Sequence, residues 1–462
     1  SSGDTLDLNG KRMECSGVFT NSGAVDADQS GEDLTCSLYC GSFMGVSNTD
    51  TDFGGCDVII TGLGGTNAND FQSFQSYGSN NIMINTADTT NAVTMPASKR
   101  SLSGDGDNFI LGSGKFNAGY NFEIEGSATI ATGAILDGGS NTFTVAGDFN
   151  IAGGLIGKSA FTFDGSSGLI NCTDDAILDD IFDGGGTIEA WVNLEGGGGA
   201  NVGRLVSKDS YFIYFREDAL KNIRLQYTFD GGIGEWYTEN DSFTFDSKWH
   251  HVAVTYDNSD VANDPSIYLD GKLMPLGTIV RPIGTRGSDV GDVLYVGNNP
   301  SDIRALDGSV AMVRLWSDIR DVDELRTNMF DDFASMTTPE KVGLVAMYQF
   351  DEGSGGDLLN VANEGTADGD ITGGTSDWAG AGTFTQGTST VDLTGTGTWY
   401  MSNSTTEYYN VKVAASGFTT TLESVGASEN RPKITGLLTH GGGTLTDVNS
   451  TNINFVGSST HT

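Results

Sequence analysis

The chain has 462 residues and carries 61 acidic against 23 basic side chains, a formal charge of −38. That balance argues against nucleic acid as a partner, which needs a basic face, and disfavours an anionic membrane surface. Glycine is frequent (66) and proline rare (7), which excludes collagen and Pro-rich linkers and fits short strands joined by tight turns.

The acidity is spread along the chain, as a solvated surface requires, with divalent-cation sites as its other use. The length predicts two to four domains, or one domain set in a scaffold. No apolar run reaches membrane-spanning length, so no membrane insertion is expected. The sequence begins with serine and shows no secretory signal, as expected of a processed chain or an excerpt.

Residues 1–108 read as an N-terminal region of short β-strands holding four of the five cysteines, Cys15, Cys36, Cys40 and Cys56. One or two disulfides, free buried thiols and a zinc site are all open there. Val58-Ile-Ile60 and Ile82-Met-Ile84 are apolar runs, whereas 48–52 and 67–80 read as polar loops. From 109 to 157 the pairs Phe122/Ile124, Ala128/Ile130, Phe143/Val145 and Phe149/Ile151 each point one way between glycines. This texture predicts β-solenoid coils or a small β-sandwich, although no strict period shows.

Residues 158–380 differ. Their blocks alternate apolar and polar positions, the period of half-buried strands. Ile188, Ala190 and Val192 fall on one face, and Glu189, Trp191 and Asn193 on the other. Asp-Gly pairs at 164–165, 230–231, 270–271 and 307–308 supply turn chemistry between blocks. One helix is expected over 321–335, with Val322, Leu325, Met329 and Phe330 as its apolar stripe. Cys172 is expected to be a small buried residue. Beyond this stretch, residues 381–462 return to short Gly- and Ser-separated strands, so the middle domain reads as an insertion into one solenoid-like scaffold.

The order FTFDG, GTIEAWV, WHHVAVTYD, IYLDG, LYVGNN, LDGSVAMVRLW and LVAMYQFDEGSG resembles the concanavalin A-like jelly rolls of the laminin-G and pentraxin type. The resemblance covers nearly half the chain. It implies an all-β protein with a jelly-roll sandwich, often a carbohydrate- or protein-binding module and often calcium-dependent. Carried over by position, it places a calcium ion (Ca2+) at one rim, with Asp209, Asn298, Asn299 and Asp302 as ligands. Asparagines stand where relatives carry acids, and asparagine is also an ordinary turn residue. It matches Trp191, Trp249, Trp316 and Trp378 to core positions. The phrase GTFTQGTSTVDLTGTGTWYM resembles the β-solenoid stalks of phage tail fibres, capsid decorations and bacterial adhesins.

Trp236 and Tyr237 are the candidate ligand-binding aromatics, read as sugar-stacking side chains with a core role for Trp236 as the alternative. His250-His251 read as a packing and hydrogen-bonding pair, and Asp257, Asp260 and Asp264 as a solvated acidic loop. No Glu-x-Asp-x-Glu run of the glycosidase kind is found: Glu123-Ile-Glu125 lies outside the middle domain, Glu189 stands alone, and no nucleophile or phosphate-loop motif is present. Two function classes follow. The first is a structural or adhesive extracellular protein, on a cell or virion surface, that binds a glycan or receptor. It would contact other virion or surface-layer proteins and could assemble as a homotrimer, since a thin solenoid buries little core alone. The second is a secreted carbohydrate-active enzyme with an appended binding module.

Overall fold

The computed structural model describes residues 108–448 apart from 120, 374–376, 381, 402–405 and 426–431; outside that range it describes the strands and a few residues beside them. The chain divides into two compact units, residues 160–379 and residues 1–159 with 380–462. The segments 1–108, 109–157 and 381–462 thus belong to one unit.

That larger unit is a parallel β-solenoid. Each central coil lays one short strand in each of three sheets, for example Asn108–Ser113, Lys115–Asn117 and Phe122–Ile124, and every ladder between coils is parallel. Alternation sends one side of each strand inward. Phe122, Ile124, Ala128, Ile130, Phe143, Val145, Phe149 and Ile151 all enter one buried core. Phe109, Phe116, Phe122 and Phe143 pack their rings edge-on or tilted, with centroids 5.1–6.3 Å apart. Polar steps stack too: Asn108 Nδ2 donates to Asn81 Oδ1 and Asn81 Nδ2 to Asp57 Oδ1, which pairs half-buried amides between coils. The same ladder advances 24 residues from Asp57 to Asn81 and 27 from Asn81 to Asn108, whereas Ser127 and Asp148 are 21 apart. Unequal coils hide the repeat from any fixed-period reading of the sequence.

The ladder continues across the insertion. Phe149 and Asn150 pair in parallel with Trp399 and Tyr400, and Thr142–Val145 with Thr390–Leu393. The stretches read as polar loops contain short strands at Thr51–Asp52, Phe71–Gln72 and Ser76–Tyr77, which correct that reading; the rest of those stretches lies outside the described residues. Cys15 and Cys40 are register partners on parallel strands. The disulfide and zinc expectations for Cys15, Cys36, Cys40 and Cys56 fall on side chains outside the described residues.

Residues 160–379 form a two-sheet antiparallel sandwich. The strands are β1 (Phe161–Asp164), β2 (Leu169–Asn171), β3 (Gly186–Gly196), β4 (Arg204–Ser207), β5 (Tyr211–Arg216), β6 (Asn222–Phe229), β7 (Gly232–Thr238), β8 (Trp249–Tyr256), β9 (Ser266–Leu269), β10 (Lys272–Met274), β11 (Leu276–Val280), β12 (Tyr295–Val296), β13 (Asp307–Trp316), β14 (Leu344–Tyr348), β15 (Asp357–Leu358), β16 (Gly369–Thr372) and β17 (Asp377–Trp378). One sheet has the order β10-β9-β8-β3-β13-β1-β17, with β14 also on β13; the other runs β11-β7-β6-β5-β4-β12-β2-β16-β15. Ile188, Ala190 and Val192 join Ile213, Phe215, Leu225 and Trp236 in the core between them. Cys172 is fully buried there, and burial pushes its thiol up to about 12. The Asp270-Gly271 turn has φ of +51° and +67° and closes the β9–β10 hairpin, as a mirror-type turn requires. Asp307-Gly308, in contrast, begins β13 rather than making a turn.

The helix is shorter than the apolar stripe predicts. It spans Val322–Asn328, begun by a capping box in which Asp321 accepts from Glu324 N and the Glu324 carboxylate accepts from Asp321 N. Continuing it would require Phe333 N and Ser335 N to bond back four residues. Instead Phe333 N donates to Gln349 Oε1 and Ser335 N to Asp332 Oδ1. The carbonyls so released are used elsewhere: Met329 O accepts the Trp191 indole N–H at 2.6 Å, and Asp331 O accepts from the Arg314 guanidinium.

Candidate functional site

Strand alternation places the aromatic pair 236–237 on opposite faces of its sheet. Trp236 is fully buried, its ring 5.0 Å from that of Tyr256, and its indole N–H donates to Asp264 Oδ1 at 2.9 Å. It is a core residue and offers no face to a ligand. Asp264 also pairs with Arg281, so it is a structural acceptor rather than a solvated loop residue.

Tyr237 points outward and is only half-buried. The register builds a row around it. Arg204 on β4 faces Tyr214 on β5, Tyr214 faces Arg224 on β6, Arg224 faces Tyr237 on β7, and Tyr237 faces Thr278 on β11. The next row carries Phe212, Gln226, Glu235 and Val280. Arg224 lies with its guanidinium 3.7 Å from the Tyr237 ring centre and 5.7 Å from that of Tyr214. The Arg204 guanidinium lies 3.6 Å above the Phe212 ring. Such stacked cations hold the rings in place at roughly 0.5–1 kcal/mol or more each. Burial lowers Arg204 to about 10, and the neighbouring Arg304 adds to that. Ile233 and Val280 leave 47% and 44% of their surface exposed beside this row. The outer face of β4–β7 and β11 is therefore a platform of rings and guanidinium groups with an apolar border. Of this platform the sequence singled out Tyr237 alone, and not Arg204, Phe212, Tyr214 or Arg224. Their signal was the outward parity of β5 and β6.

The rim residues behave differently. Asn298, Asn299 and Asp302 come together, and Asp209 is an exposed turn residue with no hydrogen bond to them. Asn298 is fully buried: its Nδ2 donates to Gly168 O and Asp302 Oδ1, and its Oδ1 accepts from Asn299 N and Arg304 N. Asn299 Oδ1 accepts from Ile303 N. Both lone pairs of Asn298 are thus spent on the backbone, and a cation would have to displace these bonds. Among the described residues, no three His, Cys, Asp or Glu side chains converge as a metal site. The residues present do not fit the calcium set. The asparagines cap a turn whose Asp302 has φ of +54°. Melting of the full chain followed by tryptophan fluorescence should be the same in millimolar calcium and in chelator. Five of the six tryptophans lie in 160–379, so this reports on the sandwich. A calcium-dependent rise in melting temperature would restore the site.

One residue before Asp209, Lys208 is buried and its ammonium is ringed by oxygens: Leu178 O at 2.8 Å, Asp289 Oδ1 at 3.0 Å, Asp179 Oδ1 at 3.2 Å and Asp289 O at 3.4 Å. Burial raises the Asp289 carboxyl, against the Asp180 N–H and the Lys208 charge that lower it. The ammonium is the positive charge between Asp179 and Asp289, at the end of β4 away from the asparagine turn.

The second buried charge cluster lies on the outer face of the other sheet. Glu189 stands opposite Arg314 on β13; Arg314 Nη1 is 3.2 Å from Glu189 Oε1, which also accepts the Trp316 indole N–H at 2.9 Å. His251 Nε2 lies 3.0 Å from Glu189 Oε2. Burial would raise the Glu189 carboxyl, but Arg314, His251 and Trp316 together hold it at about 2. Glu189 is 1% exposed and committed to these partners, so it is no acid–base group for a ligand. His250 sits between Asp270 (2.9 Å) and Asp246 (3.3 Å). Burial favours its neutral form, yet the two carboxylates raise it to about 9.

Residues 164–326 match the model of the concanavalin A-like lectin/glucanases superfamily. No curated protein matches the chain. Among solved structures, the chain is similar to a Bacteroides ovatus protein proposed to be carbohydrate-binding, at 18% identity and a TM-score of 0.34. That match covers 48% of this chain and 59% of the other, so this chain spans less than two thirds of it. It is also similar to the CBM40 of a Ruminococcus gnavus IT-sialidase bound to α2,3-sialyllactose (15% identity, TM-score 0.27, covering 37% and 95%). A third is domains LG4-5 of the mouse laminin α1 chain (15%, 0.26, covering 36% and 44%).

Proposed function

We propose that this chain is an extracellular adhesive or structural protein whose concanavalin A-like jelly roll binds a glycan, without catalysis, through the outer face of β4–β7. The observation that carries this is the row Arg204–Tyr214–Arg224–Tyr237 with Phe212 beside it. Rings fixed by stacked guanidinium groups present flat apolar faces at little entropic cost, which suits sugar rings. The family match on the same domain supports a lectin-like role. Glu189, held by Arg314 and Trp316, speaks against the glycosidase alternative. The repeating parallel scaffold suits a stalk on a virion or cell surface, with a homotrimer and neighbouring surface-layer proteins as its expected assembly. A cell-surface receptor carrying the glycan is the natural partner.

The test is binding of the full chain to a glycan panel, with Phe212→Ala and Tyr237→Ala beside it. Each substitution should weaken binding about tenfold, since about 1.4 kcal/mol is a factor of ten. Trp236→Phe, behind the face, should leave affinity within about twofold. Full affinity in both ring variants would sink the platform, and steady release of reducing ends would sink the non-catalytic reading.

A further inference from the structure

Arginines in so acidic a chain should find carboxylates, and six of the nine whose side chains are described do. Arg216, Arg281, Arg286, Arg314, Arg320 and Arg326 each lie within 4.0 Å of an Asp or Glu oxygen. Arg204, Arg224 and Arg304 form no such pair. All three belong to one neighbourhood. Arg204 N donates to Arg304 O at 2.9 Å, and Arg204 is one β-strand removed from Arg224, with Tyr214 between them.

Their remaining bonds are to neutral groups. Arg204 Nη1 donates to Ser207 Oγ at 2.8 Å, and Arg224 Nε to Asn222 Oδ1 at 2.7 Å. Arg224 is 1% exposed, and its Nη2 has no hydrogen-bond partner. A buried guanidinium donor left unmatched costs roughly 1–3 kcal/mol or more. The carboxylates at hand are occupied or distant: Glu235 accepts from the Tyr237 hydroxyl, Asp218 pairs with Arg216, and Asp209 acts on Arg204 only at longer range. In a chain of charge −38, three unpaired arginines, two on this face and Arg304 in the loop beside Arg204, mark a place kept for an anion from outside.

We infer that the ligand of this face carries an anionic group, a carboxylate or a sulfate ester on a sugar, which docks on Arg204 and Arg304 with Arg224 beneath Tyr237 as a further positive charge. This rests on the glycan reading above. It also selects the kind of glycan. The surrounding acidity repels polyanions, and screening confines the arginine field to about 8 Å at physiological salt. A neutral glycan with an isolated acidic residue fits better than a densely charged polymer. The planar, forked guanidinium suits either anion bidentately.

The experiment uses the full chain and three probes on one oligosaccharide core: the neutral core, the core ending in a hexuronic acid, and the core bearing a sulfate ester. At least one acidic probe should bind tenfold or more tighter than the neutral core. Arg204→Gln should erase that advantage, leaving the acidic and neutral probes with equal affinity, and Arg204→Lys should restore only part of it. Which acidic probe wins decides between carboxylate and sulfate. Should Arg204→Gln melt early, Arg304→Gln, half-exposed at the edge, serves in its place. Equal binding of all three probes would overturn the anion while leaving the glycan reading intact. Binding of none would overturn the glycan reading. The anion site would then stand or fall on whether millimolar acetate or sulfate shifts the Arg204 and Arg224 side-chain NMR signals.

Discussion

Lys208→Met should lower the stability of the sandwich by about 3–5 kcal/mol, because removing one partner of a buried pair leaves the other charge uncompensated. The ammonium answers Asp289 and Asp179 and two carbonyl oxygens, and among the described residues no other cation pairs with Asp289. For a domain of this size the melting point should fall by roughly 6–20 °C. The sign with pH is informative. The Asp289 carboxyl is raised by burial already, and losing Lys208 raises it further. A protonated Asp289 needs no cation, so the deficit relative to the parent should narrow as pH falls and widen as it rises. Tryptophan-detected denaturation at several pH values measures this. A loss below about 1 kcal/mol, or one that is flat with pH, would mean that the ammonium is dispensable.

Arg314→Met should cost a similar amount, about 3–5 kcal/mol, since Glu189 would remain buried with only an indole and an imidazole beside it. The double variant Arg314→Met with Glu189→Leu should recover much of the loss, because two apolar side chains leave no charge to solvate. A double-mutant cycle reads the coupling directly, and additive losses would show that the pair is not a unit. The deficit again narrows as pH falls. Glu189 is held at about 2, below its unfolded value of 4.5, so its contribution is fully present above that value and is lost as pH falls toward 2.

Much of this fold could be read from alternation. The inward face of β3 at 188, 190 and 192 and the inward pairs of the solenoid follow from period-two patterning alone. Parity fails where side chains are missing or ambiguous. In β7, Gly232 and Gly234 report no face, and Trp and Tyr are each at home inside or outside, so the choice between Trp236 and Tyr237 needs the sheet itself. The other side of β3 carries both Glu189 and Trp191, and residue type alone does not say whether Glu189 is covered. It is buried because residues beyond the helix are drawn over it by bonds from Trp191 and Arg314 to backbone carbonyls, which leave no trace in residue type. The rim asparagines illustrate the reverse. The family resemblance placed a cation on them, yet their amide groups are consumed by the turn they shape.

The parallel ladder that joins Phe149 and Asn150 to Trp399 and Tyr400 has a mechanical consequence. The 160–379 segment begins and ends on neighbouring antiparallel strands, Phe161 beside Trp378, while the scaffold strands on either side of it bond to each other directly. Tension applied along the scaffold therefore runs from strand to strand through backbone hydrogen bonds and bypasses the sandwich. Only when those rungs shear does force reach the covalent route through residues 160–379. A domain so inserted keeps its shape under tension on the scaffold, and in a pulling experiment the sandwich should unravel as a late, separate extension after the coils on either side of it have parted.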